Sequence, residues 1–143
     1  MILLDTDHFS LLELPDTPAY VRLRARIAQL DPPETVATTV ITYEEQSRGR
    51  LAYVNAARGT LQLAKAYAHL RQHILNYQKI PIVDFDEMAS EKAAELQRSK
   101  LRVGTLDVRI AGIALTRGAL LLSRNLKDFS KIPDLRVEDW TRP

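Results

Sequence analysis

The sequence predicts one α/β domain, a three-layer α/β/α sandwich around a short parallel sheet. Short apolar runs of strand length alternate with segments of helical periodicity from one end of the chain to the other. Such alternation is typical of a parallel sheet covered by helices on both faces. The 143 residues fit a single domain over residues 1–143, and we find no internal repeat and no linker rich in glycine and serine.

Composition excludes several classes of protein. Hydrophobic residues make up 45% and charged residues 27% of the chain, as in ordinary globular proteins. The absence of cysteine excludes disulfides and thiolate metal sites. No apolar run approaches the ~20 residues needed to span a bilayer and we see no secretion signal, so we expect no membrane contact and, by default, a cytoplasmic location. A net charge of +2 is too small to indicate a polyanionic partner by itself.

The first half of the chain predicts two strands and four helices. Ile2–Leu4 is a short buried strand, and a short helix over residues 8–14 ends before Pro15. The elements expected next are a helix capped by Thr17 with an apolar stripe of Tyr20, Leu23, Ile27 and Leu30, a strand from Val36 to Ile41, a helix at 42–57, and a helix capped by Thr60 with a stripe of Leu63, Tyr67, Leu70, Ile74 and Tyr77.

The second half predicts three strands and two helices. The expected elements are a short strand from Ile80 to Val83, a helix opened by Asp86, a helix that begins at Thr105 and ends with Gly118 as its C-cap, a strand at Leu120–Leu122, and a short edge strand from Leu135 to Glu138.

Polar side chains that follow parallel strands meet at one edge of the sheet, where ligands bind in such folds. Asp5 ends the first strand, so we expect it at this edge. The other acidic or amide groups expected there are Asp7, Glu44, Glu45, Asp84, Asp86, Asn125 and Asp128, together with Asp107 in the first turn of the helix that begins at Thr105.

Each acid also has a purely structural interpretation. Glu45 lies three residues after Thr42, the spacing of a capping box, Asp86 can cap its own helix, and Asp107 suits the helix dipole. As a group, however, the acids repel, because two carboxylates ~5 Å apart cost about 3 kcal/mol at an effective dielectric constant near 20. A cation between them relieves this repulsion, and oxygen ligands favour Mg²⁺ or Mn²⁺.

Histidine offers a weaker metal site. His69 and His73 have the i, i+4 spacing of a zinc pair but lack the intervening glutamate, and His8 is the only other histidine. We interpret His69 and His73 as exposed helix residues. The chain also has no glycine-rich phosphate loop and no G-x-S-x-G turn.

With these acids in order, the sequence resembles the PIN-domain ribonucleases, and most closely the VapC-type toxins of bacterial toxin–antitoxin pairs. The resemblance runs over the whole chain and is carried, in this order, by MILLDTDHFS, TTVITYEEQSRG, PIVDFDEMA, VGTLDVRIAGIALTRGALLLSRNLKDF and LRVEDW. No single segment is specific, whereas the ordered set at these spacings is.

By this resemblance, Asp5, Glu45 and Asp107 occupy the family's three core acidic positions and are expected to be its catalytic and metal-binding residues. Asp5 and Asp107 would hold Mg²⁺ or Mn²⁺, and Glu45 would complete the site directly or through a water. Family members often have a fourth acid after the fourth strand, where this chain has Asn125, and Asp128 is the nearest carboxylate. The number of metal ions therefore stays open.

Asp7 occupies a position that is often Asn or Ser in the family and is not counted as a ligand. We expect Thr6 and Asp7 to shape and cap the turn into the first short helix. Arg109, Arg124 and Lys127 lie close in sequence to the acids and could attract the RNA backbone, the alternative being a solvated surface.

The resemblance implies a metal-dependent endoribonuclease that hydrolyses RNA phosphodiester bonds as the toxin of a toxin–antitoxin pair. It also implies three partners, namely an RNA substrate, a cognate antitoxin protein and a second copy of the chain in a homodimer. Most residues of the two apolar helix stripes are expected in the core, and the exposed remainder could serve the dimer or the antitoxin.

Three alternatives remain. Asp5-Thr6-Asp7 fits the start of the haloacid-dehalogenase-like phosphatase motif D-x-D-x-[TV], although Phe9 stands where Thr or Val is expected. A receiver domain could use Asp84 as phosphate acceptor, but no suitable lysine follows. Because of Asn125, a catalytically degraded PIN domain that only binds RNA or an antitoxin is the third.

Overall fold

The sheet of this protein is fully parallel and has five strands, in a computed structural model that describes all residues from 1 to 143. The strands are β1 (Ile2–Leu4), β2 (Val36–Thr39), β3 (Ile82–Val83), β4 (Leu120–Leu122) and β5 (Val137–Glu138). They lie in the order β3-β2-β1-β4-β5, with Leu3 paired to Ala37 on one side and to Leu121 on the other.

The chain reverses its direction of travel across the sheet at the central strand. It moves outward from β1 through β2 to β3, and then returns to the opposite side of β1 for β4 and β5. Such a reversal opens a crevice beyond the carboxyl ends of the two strands concerned. The residues that directly follow β1 and β4 therefore stand at the crevice.

Helices cover both faces of the sheet, so the predicted three-layer α/β/α sandwich is confirmed. The helices are α1 (Thr6–Phe9), α2 (Pro18–Ala28), α3 (Val40–Ala56), α4 (Gly59–Tyr77), α5 (Glu87–Arg98), α6 (Thr105–Thr116) and α7 (Leu126–Phe129), with a 3₁₀ turn at Ser10–Glu13. None of them has the length and apolar character needed to cross a membrane.

Side chains alternate between two cores along each strand, as the pleat requires. Leu3 and Leu121 belong to a core that includes residues of α5 and α6. Ile2, Leu4 and Leu122 point to the other face and belong to a core with residues of α1 and α2. The central strands β1 and β4 are thereby covered on both faces, which explains why they read as continuous apolar runs.

The second strand is shorter than predicted. It ends at Thr39, and Val40 and Ile41 are the first residues of α3. Thr39 has an extended backbone, and its Oγ1 accepts a hydrogen bond from the amide of Thr42 at 3.0 Å, which is the geometry of an N-cap. This cap overrides the β preference of Val40 and Ile41. Thr42 consequently lies inside the helix, so the predicted capping box with Glu45 is wrong.

Helix α4 also departs from the prediction. It begins at Gly59, with Arg58 rather than Thr60 in the capping position. Its stripe was expected to be mainly core, but Leu63, Tyr67 and Ile74 are exposed and only Tyr77 is fully buried. The prediction is wrong because α4 packs on α3 and covers the sheet only at its last turn.

His73 was expected to be exposed and is buried instead. Its Nε2 lies 2.8 Å from Ser47 Oγ, and its ring stacks on Tyr43 with ring centroids 5.1 Å apart. Burial lowers the pKa of His73, so the ring is a neutral part of the α3–α4 contact. His69 is exposed, as predicted.

The smaller elements differ from the prediction at their ends. The helix predicted at 8–14 begins earlier, at Thr6, and continues as the 3₁₀ turn. β3 comprises only Ile82 and Val83, and β5 only Val137 and Glu138 at the edge of the sheet. The sequence patterns did not reveal α7, whose four residues are too few to show a helical period.

Candidate functional site

Asp5 lies at the crevice where the strand order reverses, as predicted. Its amide donates a hydrogen bond to the carbonyl of Leu122, which ties it to the end of β4. Its carboxylate is almost fully buried and accepts two bonds, from the amide of Thr6 to Oδ1 and from Ser123 Oγ to Oδ2, both at 2.7 Å. Asp5 is therefore itself the N-cap of α1, and the expectation that Thr6 and Asp7 cap this turn is wrong.

Burial raises the pKa of Asp5 to about 6. The hydrogen bond from Ser123 opposes this shift, whereas the charges of Asp7 and Glu45 add to it. At neutral pH most of the Asp5 carboxylate is still ionised. The crevice thus holds a buried negative charge with acidic neighbours, and a cation would be stabilising there.

Ser123 is a residue of the site that sequence reasoning missed. It is fully buried directly after β4, in the position that Asp5 occupies after β1. Its Oγ donates to Asp5 and accepts a hydrogen bond from the amide of Asn125 at 3.0 Å. The signal that could have identified it is a polar residue immediately after a buried strand, but a serine is neither a carboxylate nor an amide and so is not among the groups expected at this edge.

Asp7 supports the loop after β4. Its Oδ2 accepts a hydrogen bond from the amide of Arg124 at 2.9 Å, and its Oδ1 lies 2.6 Å from Nδ1 of His8. Asp7 therefore ties the start of α1 to the loop after β4.

Asp107 lies in the first turn of α6 and is half-buried. Its Oδ2 accepts a hydrogen bond from Nδ2 of Asn125 at 3.1 Å, and the same amide donates to Oδ2 of Asp128 at 3.2 Å. Burial raises the pKa of Asp107, with the charges of Glu45 and Asp128 adding to the shift and the bond from Asn125 opposing it. The amide at position 125 therefore separates two carboxylates.

Glu45 connects the two other acids electrostatically. It lies half-buried on α3, and its charge raises the pKa of both Asp5 and Asp107. No three His, Cys, Asp or Glu side chains stand close enough together to form a complete metal-binding group. By their chemistry, Asp5, Glu45 and Asp107 fit Mg²⁺ or Mn²⁺, because hard divalent cations prefer carboxylate oxygens and these carboxylates repel one another electrostatically.

The three basic residues expected near the site occupy different surroundings. Arg109 lines a groove of about 510 Å³ between α3, α5 and α6, together with Glu44 and Gln97. Arg124 is turned toward the C-terminal segment, where its Nε donates to Thr141 Oγ1 at 3.2 Å. Lys127 is exposed at the start of α7.

Comparison with known families and proteins gives consistent matches. A family model described as PIN domain matches residues 2–135. The chain is similar to the "tRNA(fMet)-specific endonuclease VapC" of Salmonella typhimurium, with 38% identity over 66 residues, 43% of this chain and 50% of that protein. It therefore spans about half the length of that relative. Similarity to "Ribonuclease VapC1" of Haemophilus influenzae extends further, with 28% identity over 120 residues, 82% of this chain and 83% of that protein.

Solved structures resemble the whole chain. The chain is similar to a chain of VapBC-1 from nontypeable Haemophilus influenzae, with a TM-score of 0.74, 24% identity, and coverage of 99% of this chain and 100% of that one. A chain of DNA-bound VapBC from Salmonella typhimurium gives a TM-score of 0.67 and 25% identity, with 97% of each chain covered. The fold is therefore shared over its full length.

Proposed function

This chain belongs to the PIN domain family, and on that premise we propose that it is a metal-dependent endoribonuclease acting as the toxin of a toxin–antitoxin pair. The observation that carries the proposal is the electrostatic coupling of three acids at the crevice beyond β1 and β4, since the charge of Glu45 raises the pKa of both Asp5 and Asp107. Its similarity to proteins named ribonuclease VapC1 and tRNA(fMet)-specific endonuclease VapC supports the same reaction class.

We propose that Asp5 and Asp107 hold Mg²⁺ or Mn²⁺ and that Glu45 completes the site, directly or through a water. The support is chemical, since hard divalent cations prefer carboxylate oxygens and these carboxylates repel one another without a cation. A bound cation would acidify the attacking water and neutralise charge on the phosphate undergoing hydrolysis.

The chain's own residues prepare this chemistry. Ser123 donates to Asp5, which orients its carboxylate and favours its ionised form. Asn125 does the same for Asp107. Both donors come from the segment directly after β4, so this one segment holds both acids proposed to bind metal. The exposed Lys127 beside this loop is suited to attract the RNA backbone.

The test is cleavage of RNA in Mn²⁺, with and without a chelator, by the wild type and by Asp5→Asn. Asparagine keeps the shape of the side chain but removes the charge, so we expect cleavage to be lost in the variant and in the chelator. Asp16→Asn, at an exposed acid, is the matched control and should cleave as the wild type does. Equal cleavage by Asp5→Asn and the wild type would overturn the assignment.

A catalytically degraded site is the second candidate function, because an amide at position 125 stands between Asp107 and Asp128. Titration with Mn²⁺ separates the two functions, since a degraded site should bind the ion poorly. We do not propose a phosphatase or a receiver domain, because the PIN domain model matches residues 2–135 of this chain.

We propose an antitoxin protein, a homodimer and a cytoplasmic site of action as the setting of this activity. The antitoxin is supported by similarity to a chain of VapBC-5 from Mycobacterium tuberculosis, solved as a member of the VapBC family of toxin-antitoxin systems. We expect a small reading frame upstream of this gene to encode a DNA-binding antitoxin. That protein should copurify with this chain and block its cleavage of RNA. Light scattering tests the homodimer, and a monomer at micromolar concentration would count against it.

A further inference from the structure

A polar groove of about 310 Å³ lies directly beside the proposed active site, between α3 on one side and Thr6 and Ser10 on the other. Its lining includes Glu45, which also belongs to the proposed metal site. Gly49, Arg50 and Tyr53, all on α3, also line the groove. The groove is therefore open to a ligand that is held at the active site and extends along α3.

Glu45, Gly49 and Tyr53 follow one another at intervals of four residues, so they form a single stripe along α3. The stripe spans about 12 Å between its outer Cα atoms at 1.5 Å per residue. Gly49 has no side chain, and a Cβ added there would meet nothing within 4 Å. Helical side chains lean toward the N-terminus, so the ring of Tyr53 is directed over this open floor and toward Glu45.

The ring of Tyr53 is exposed but held in place. It is 45% exposed, and the ring of His69 packs against it nearly perpendicularly, with centroids 5.4 Å apart. Arg50 Nη1 contacts His69 Nδ1 at 3.2 Å, and Arg50 Nη2 bonds both oxygens of Glu13 at 2.8 and 2.9 Å. A ring held in advance loses little freedom when a second ring stacks on it.

The charges of the groove favour a base over a phosphate. Arg50 is the cation of the lining, and Glu13 already neutralises it through a bidentate pair. At the other end Glu45 is acidic and belongs to the site proposed for the metal and the cleaved phosphate. A nucleic acid strand would thus place its phosphate at the Glu45 end and its flat, uncharged base over Gly49 and Tyr53.

We propose that this groove binds the nucleobase next to the cleaved phosphate, with Tyr53 as its stacking surface. The inference rests on the proposed nuclease function and adds a subsite to it. Stacking on an aromatic side chain requires a base that is not paired in a helix. The subsite therefore selects single-stranded RNA, with little preference for base identity because every base has a flat face.

The test is steady-state cleavage of a single-stranded RNA oligonucleotide in Mn²⁺. Tyr53→Leu should raise KM about 5- to 150-fold, the range seen when one stacked base loses its aromatic partner, and leave kcat within about twofold. Tyr53→Phe keeps the ring and should keep KM. Tyr67→Leu removes another exposed tyrosine, on the neighbouring helix α4, and should have no effect. Gly49→Leu should raise KM by filling the floor.

Abasic substitution of the RNA, one position at a time, identifies the base concerned. At one position next to the cut, removing the base should raise KM for the wild type and have no further effect on Tyr53→Leu, because the two changes remove the same contact. Independent effects at every position would overturn the proposal, as would an unchanged KM in Tyr53→Leu.

Binding of the same labelled RNA, measured by fluorescence anisotropy, distinguishes this failure from failure of the nuclease. If the wild type does not cleave but binds RNA more tightly than Tyr53→Leu, the subsite stands and the proposed activity fails. If the wild type cleaves and Tyr53→Leu binds and cleaves like Tyr67→Leu, the activity stands and the subsite is refuted.

Discussion

The amide of Trp140 donates a hydrogen bond to Nε2 of His8 at 3.2 Å, across 132 positions of sequence. Since Nε2 is the acceptor, the proton of the neutral ring is on Nδ1, which lies 2.6 Å from Oδ1 of Asp7. His8 is fully buried in this arrangement. It therefore links the C-terminal segment to the acid that supports the loop after β4.

His8→Phe should lower the free energy of unfolding by about 2–4 kcal/mol, because the amide of Trp140 and an oxygen of Asp7 both lose a buried partner. Urea unfolding measures the loss. His8→Gln places an amide in the same cavity and should lose less than His8→Phe. Equal losses in the two variants would show that His8 stabilises the fold by its packing and not by its two hydrogen bonds.

Asp5→Asn should make the protein more stable at pH 8, even though it is expected to abolish cleavage. Because burial raises the pKa of Asp5 from 3.8 to about 6, the folded state binds its proton more tightly than the unfolded state. Stability of the wild type consequently falls as the pH rises from about 4 to 6, by up to about 3 kcal/mol. The neutral amide avoids this loss.

Urea unfolding of both proteins at pH 5 and pH 8, without metal, checks the sign. We expect Asp5→Asn to gain about 1–3 kcal/mol over the wild type at pH 8 and clearly less at pH 5. A difference that is independent of pH would mean that the Asp5 charge is not the cause.

Asn125→Asp should strengthen Mn²⁺ binding by roughly tenfold and weaken the protein without metal. The new carboxylate would face Asp107 and Asp128, where the amide now donates a hydrogen bond to each. Without a cation, like charges at this spacing cost a few kcal/mol at most. Calorimetric titration and thermal unfolding with and without Mn²⁺ measure the two effects, and a variant that is less stable in both conditions would contradict a metal site here.

Gly112→Ala should destabilise the protein by about 1–3 kcal/mol through overpacking. A Cβ at position 112 would lie 2.6 Å from the carbonyl oxygen of Ala89, so α5 and α6 would have to move apart. Gly49→Ala is the matched control within a helix, since its Cβ meets nothing within 4 Å, and it should stabilise by about 0.5–1 kcal/mol. Similar thermal shifts for both variants would refute the close approach of α5 and α6.

Much of the fold could be predicted because strands and helices are indicated by patterns among residues that are neighbours in the chain. The apolar runs at Ile2–Leu4 and Leu120–Leu122 are strands as expected, and Thr17 and Asp86 cap their helices as expected. The predictions were wrong for two reasons. At Val40 and Ile41 two local preferences compete, and the N-cap at Thr39 outweighs β propensity. On α4 the cause is tertiary, because helical periodicity does not show which neighbouring element will cover the apolar stripe.

The amino-acid sequence by itself determined the alternation of strands and helices, and it placed Asp5 at the end of a buried strand. These properties depend on residues that are neighbours in the chain. Tertiary structure decided what depends on distant residues, namely the strand order, the burial of His73, and the contacts of Ser123 with Asp5 and of Asn125 with Asp107. Burial and charge act across space, so the raised pKa of Asp5 becomes apparent only when the chain has folded.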